Sequence, residues 1–245
     1  GQERVLIGFP NSAGYREGHV VHCLSGTEDD KAFVPFGEVD GRVTDRTWEV
    51  ARILATAPGF GAEIRTDMDA WLKYHVALLF PSLAPALKAA GVDNYRLSRT
   101  RDLVVLAVRA MREGFQVLRS LGLPVTPSKF KVIEWLPEPL LVLLVQRLLA
   151  NPLMETALVK HAEAARSEVE HLIGEFIALA RTTSVPTPTI DHLLTYYEPD
   201  APQVPDGSAE IPLRWGGLLV ALGASALLVT AGVLSVRWLR GKERQ

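Results

Sequence analysis

The sequence predicts a mainly α fold: an all-helical domain that follows the remnant of a sheet domain and precedes a C-terminal transmembrane helix. Three observations predict it. The first forty residues hold short β-prone runs, helical periodicity sets in near Asp67, and Trp215–Val236 carries no charged side chain.

The elements follow in order. RVLIGF, HVVHCL and AFVPFGEV read as strands, separated by the turn-rich NSAGYREG and SGTEDD. So few strands cannot make a free-standing sheet, and the first residue is Gly1, so the chain is expected to start partway through a longer product. Thr44–Thr56 reads as an amphipathic helix, with Trp48, Ala51, Leu54 and Ala55 on its apolar side. PGFG breaks it, and AEIR reads as a last strand. Helices are then expected over Asp67–Leu87 and over Arg99–Leu121, where Leu103, Leu106, Ala110, Phe115 and Leu118 form a stripe stopped by Gly122 and Pro124. Lys129–Leu136 is short. Leu140–Ala150, opened by Pro137 and Pro139, is too short to span a bilayer and reads as a core helix. Glu155–Thr183 reads as one long helix ended by SVPTPT, and Asp191–Tyr197 as a short last one. The chain divides into the end of a sheet domain (1–66), the helical domain (67–197), a linker (198–212), a membrane helix (213–238) and a basic tail (239–245).

The 22 residues of Trp215–Val236 would span about 33 Å as a helix, against a bilayer core of about 30 Å. Trp215 and Trp238 sit where interfacial aromatics belong, and RWLRGKERQ supplies a cationic flank. The preceding EPDAPQVPDGSAEIP, rich in proline and acid, reads as exposed. A net charge of −2 gives no footprint for nucleic acid. Cys23 is the only cysteine, which excludes an intrachain disulfide, and the histidines show no metal-ligand spacing. No P-loop or GxSxG occurs, and PGFGAEI has Ile64 where a dinucleotide fingerprint needs its third glycine.

The stretch DAWLKYHVALLF places one lysine in an apolar run. On a helix, Lys73 has Asp69, Ala70, Val76 and Ala77 one turn away, so Asp69 is its one polar neighbour. Snorkelling explains such a lysine without function. Asp67 and Asp69 suit an N-cap and first turn, and Glu163, Glu168, Glu170 and Glu175 suit a solvated helix face.

The order of several motifs points elsewhere. RSEVEHLIGEFIALARTTSVPTP (Arg166–Pro188) resembles the C-terminal signature of the ketopantoate reductase (2-dehydropantoate 2-reductase) family. RAMREGFQVLRSLGLPV (Arg109–Val125) is similar to that family's Met–x–Glu helix, and DAWLKYHVALLFPSLAPAL to the Trp–x–Lys helix that opens its C-terminal domain. RVLIGFPNSAGYREGHVVHC with PFGEVDG looks like the last strands of its Rossmann domain. The resemblance covers about residues 4–195 and implies an NADPH-dependent oxidoreductase acting on a 2-oxo acid, in pantothenate biosynthesis for the family's namesake. It implies catalytic roles for Lys73, as the acid that protonates the ketone oxygen, and for Glu168, which engages the lysine and the substrate. It places Thr156 where a family serine binds substrate, and it implies a homodimer as a candidate assembly. Two family asparagines are replaced by Ala77 and Pro81, so either the substrate is not ketopantoate or the site has lost function. The readings are therefore a membrane-anchored reductase with its main domain in the cytoplasm, a non-enzymatic tethered helical domain of the same descent, and an unrelated membrane protein.

Overall fold

The structure, a computed structural model, describes residues 4–10, 12–24, 26–198 and 200–216. The apolar run predicted to cross a membrane lies outside these residues beyond Gly216; among the described residues no single helix is long and apolar enough to do so.

Strands β1 (Leu6–Gly8), β4 (Ala32–Glu38) and β5 (Phe60–Ile64) form one sheet in the order β1-β4-β5. β1 runs antiparallel to β4, while β4 and β5 are parallel and joined through helix α1 (Asp45–Leu54). This is a βαβ crossover, the unit of parallel α/β sheets. Thr44 caps α1 in a reciprocal box with Thr47. β2 (Ala13–Glu17) and β3 (Val20–Leu24) make a separate hairpin. Sequence pattern alone reads β2 as a turn, because Gly14 and Gly18 dilute its β-prone residues; pairing with β3 decides it.

The helical domain opens with α2 (Met68–Leu78), which passes through a π-helical segment, Leu79–Leu83, into α3 (Ala84–Ala89). The irregular turn coincides with Pro81, whose ring removes a backbone donor. α4 (Asn94–Arg99), capped by Asp93, was not evident from periodicity, being a helix of six residues. α5 (Arg101–Ser120) is the central helix: Leu103, Val104, Val105, Phe115, Val117 and Leu118 are fully buried. After α6 (Lys131–Trp135), α7 (Glu138–Leu149) packs on α4 and α5. The long helix expected over Glu155–Thr183 is instead broken into α8 (Pro152–Met154), a π-helical stretch, α9 (His161–Ala164) and α10 (Arg166–Ala180). The break falls at Ala165, whose φ of −117° and ψ of 35° leave the helical region. α11 (Pro188–Leu194) closes the domain. Its first-turn amides, which lack intrahelical acceptors, are capped by Glu113 of α5, which accepts from the backbone N–H groups of Thr189 and Ile190.

The segment read as an exposed linker is a strap. Asp102 of α5 accepts hydrogen bonds from the Ser208 hydroxyl and from the amides of Glu210 and Ile211 (2.8 Å each). Arg99 forms a two-pronged pair with Asp206, and Arg96 donates to Gln203 and to the Val204 carbonyl. Farther on, Arg109 bridges Glu138 and the Pro212 carbonyl, and the Arg214 amide donates to Glu138. Prolines and acids gave this stretch the composition of a free linker, but the arginines of α4 and α5 bind it down.

Candidate functional site

The approach to α2 is built by charge and aromatic packing. Arg65, just past β5, grips Asp67 through two hydrogen bonds (2.8 and 2.9 Å), and both reach the buried Thr126 hydroxyl (2.9 and 2.7 Å). The Arg65 guanidinium holds the Asp67 carboxyl below its ordinary range. This network fixes the turn between sheet and helical domain to the loop after α5. One turn on, Trp71 and His75 stack with ring centres 3.5 Å apart, and Phe9 from the strand region packs on both. His75 Nδ1 lies 2.8 Å from the Trp71 carbonyl, an acceptor only, so this nitrogen carries the hydrogen. Burial pushes its pKa down to about 4, so the ring is neutral at pH 7.

Lys73 lies on the opposite side of α2 from this stack. Its ammonium sits 2.6 Å from both carboxylate oxygens of Asp69, one turn earlier, and its side chain is 37% exposed. The spacing that made Asp69 its one polar neighbour thus makes Asp69 its partner.

Glu168 is not brought to this lysine. α10 runs antiparallel to α2 and α3: Phe176 approaches Gly114 and Ala77, whereas Val169 and Ile173 cluster with Ala84. Glu168, beside Val169, is therefore exposed near α3, toward the opposite end of this packing from the Phe176–Ala77 approach. Thr156 lies half-buried on the π-helical stretch Glu155–Lys160, whose Lys160 ammonium sits 3.4 Å above the Tyr15 ring of the hairpin. Among the described residues no hydrogen bond joins Lys73, Thr156 and Glu168. The two positions that lack asparagine are closed: Ala77 is fully buried, and a Cβ on Gly114 would come 3.2 Å from the Ala77 Cβ. Pro81 is buried as well. Helix packing occupies the face where side-chain amides would project.

At the start of α10 a cleft of about 440 Å³ is lined by Lys88, Glu163, Arg166, Glu170 and Tyr197 over an apolar floor including Leu87. The Lys88 ammonium donates to the Tyr197 carbonyl (2.6 Å). The described residues hold no group of His, Cys, Asp and Glu able to bind a metal ion.

Nor do they fit a dinucleotide. The β4–α1 junction is where a pyrophosphate would seek helix N–H groups, but Thr44 caps that helix and Glu38 and Asp45 flank it. Arg46 and Thr44 are both bound to Glu38, whose carboxyl they hold below its ordinary range. Two of the glycines that imitate a fingerprint serve packing: a Cβ on Gly59 would lie 2.2 Å from the Gly26 carbonyl oxygen, and one on Gly61 would strike the Phe33 ring.

A βαβ unit leading into an all-α domain whose first helix bears an acid-paired lysine defines the class, a helical domain appended to an α/β unit. The family model described as the ketopantoate reductase PanE/ApbA C-terminal domain matches residues 66–198, and the chain belongs to that family. A solved structure of dimeric ketopantoate reductase from Staphylococcus aureus, described as giving evidence of kinetic cooperativity, aligns with a TM-score of 0.55 at 13% identity. That alignment covers 78% of this chain and 59% of that one. At such identity the likeness concerns the fold, and the chain spans 59% of that protein's length. No curated protein gives a match.

Proposed function

We propose that this chain forms the helical, substrate-side part of an NADPH-dependent reductase acting on a 2-oxo acid other than ketopantoate. The observation that carries this reading is Lys73, on the helix that opens the family's domain, with its ammonium ion-paired to Asp69 at 2.6 Å. A positive donor of this kind suits the developing charge on a ketone oxygen. The buried Ala77 and Pro81 argue for a substrate other than the family's namesake, since no amide projects from them. Glu168 and Thr156 keep their proposed roles in substrate binding, with Glu168 acting from the α10 side rather than as the partner of Lys73. The dinucleotide would be held by residues other than those described.

The test is NADPH oxidation by the full-length protein over a panel of 2-oxo acids. Lys73→Met should lower turnover by a factor of about 10² or more. Equal rates in variant and wild type would end the assignment of Lys73. Absence of any rate in wild type would favour a second reading, a non-enzymatic helical domain, which draws its support from the separation of Lys73 and Glu168.

We further infer that Trp215–Val236 anchors the protein in a membrane, with the helical domain on the cytoplasmic side where NADPH is found. The basic flank after Val236 argues for the opposite orientation, and protease protection in sealed vesicles decides between them. A homodimer is proposed by analogy with the dimeric staphylococcal enzyme, and its mass in detergent would test it.

A further inference from the structure

Helix α7 has two unlike faces. Its inner face buries Glu138, Leu141, Val142 and Leu149. Its outer face presents Leu140, Leu143, Leu144 and Leu148, 42%, 45%, 39% and 55% exposed, at the i, i+3, i+4, i+8 spacing of one helical stripe. Arg147 is the stripe's single charge. The helix's one acid, Glu138, is buried against Arg109, so the outer face offers no carboxylate. Trp135 before the helix and Leu153 after it are exposed as well, at 68% and 48%. Isolated surface leucines need no explanation, but a continuous row of them marks a contact surface.

What covers the row is indicated by where the strap leads. The strap is fastened at Pro212 and Arg214 to Arg109 and to Glu138, the first residue of α7. The described chain therefore ends beside the N-terminal end of α7, the end from which the leucine row starts, with Trp215 half-exposed. The sequence that follows, through Val236, is uncharged. An anchor starting there sets the head of α7 at a bilayer surface. At 12 residues α7 is about 18 Å long, too short to cross a core of about 30 Å. It suits lying in the interface, leucines toward the acyl chains and the Arg147 guanidinium reaching up to the headgroups.

We propose that the leucine face of α7 rests on the surface of a phospholipid bilayer. The proposal rests on reading Trp215–Val236 as the anchor. A second copy of the chain could also cover leucines, but it would not account for the uncharged run that begins beside the N-terminal end of α7.

The test uses the full chain in phosphatidylcholine and phosphatidylglycerol vesicles, with Cys23→Ser as background. A fluorophore is attached through Leu144→Cys, or through Glu49→Cys on the exposed side of α1 as reference. Flotation reads the anchor, and quenching by lipids brominated in their acyl chains reads the face. The chain should float, with emission from position 144 falling about twofold or more and that from position 49 unchanged. Adding Leu140→Glu and Leu148→Glu should leave flotation intact and return position 144 to the reference level. Flotation with position 144 open to aqueous iodide would overturn the face proposal and leave the anchor standing. Crosslinking of position 144 to its counterpart in another copy, with no lipid quenching, would overturn it in favour of self-association. A chain that fails to float would overturn both.

Discussion

Among the described side chains, Phe36 is the one buried hydrophobic residue of the strand region, whereas all the others lie from Met68 onward. The strand region holds its shape by leaning on the helical domain: Phe9 sits on the Trp71–His75 stack, and a Cβ on Gly37 of β4 would lie 3.5 Å from the Met68 side chain of α2. The helical domain closes its own core around Tyr74, Phe115 and Leu103. The comparison teaches that regular hydrogen bonding alone does not make a unit stable; buried apolar area does, and it lies almost wholly on one side of Asp67.

Substitutions can break or sharpen this contrast. Phe115→Ala, which empties a fully buried ring site in contact with Tyr74, should cost about 3–5 kcal/mol and lower the main unfolding transition. Phe36→Ala should instead raise amide exchange in β4 and β5 and leave that transition nearly in place. Equal effects on the main transition would show the two regions to be one cooperative unit. Asp102→Ala removes the acceptor for the strap and should cost about 1–3 kcal/mol, with new proteolytic cleavage between Gln203 and Arg214. An unchanged digest would mean the strap is held without it.

A smaller effect depends on pH. His75 has its folded pKa lowered to about 4, against an ordinary 6.5 when unfolded. Between these values the unfolded chain binds the extra proton, so stability present above pH 6.5 is lost as pH falls toward 4. The junction of strand and helical regions should feel this first, and His75→Phe should flatten the slope of Tm against pH in that window. The smallest expected effect is that of Lys73→Ala on stability, about 0.5 kcal/mol or less, because its pair with Asp69 is half-exposed. A clear fall in Tm would give that lysine a structural role.

Much of this arrangement was legible in the sequence. The switch from strand to helix near Asp67 follows from periodicity, and the β4–α1–β5 unit from β-prone runs flanking an amphipathic helix. The break at Ala165 was not legible, since alanine is a good helix former and backbone conformation there is set by tertiary packing. The strap was misjudged because its partners, Arg96, Arg99, Asp102 and Arg109, lie about a hundred residues away in sequence. Of the site, Lys73 and Asp69 could be paired from their spacing. The distance from Lys73 to Glu168 could not, because it depends on α10 running antiparallel to α2.

The fastening of Arg214 to Glu138 also sets the reach of whatever follows. A free segment of fifteen residues would let its two ends wander about 20 Å apart. Bound as it is, the strap has almost no reach. Any pull on the chain beyond Gly216 is passed straight into α7 and, through Arg109, into the central helix. The domain is thus mounted on its exit point like a bracket rather than trailing from it on a leash, with its orientation there decided by a handful of arginines.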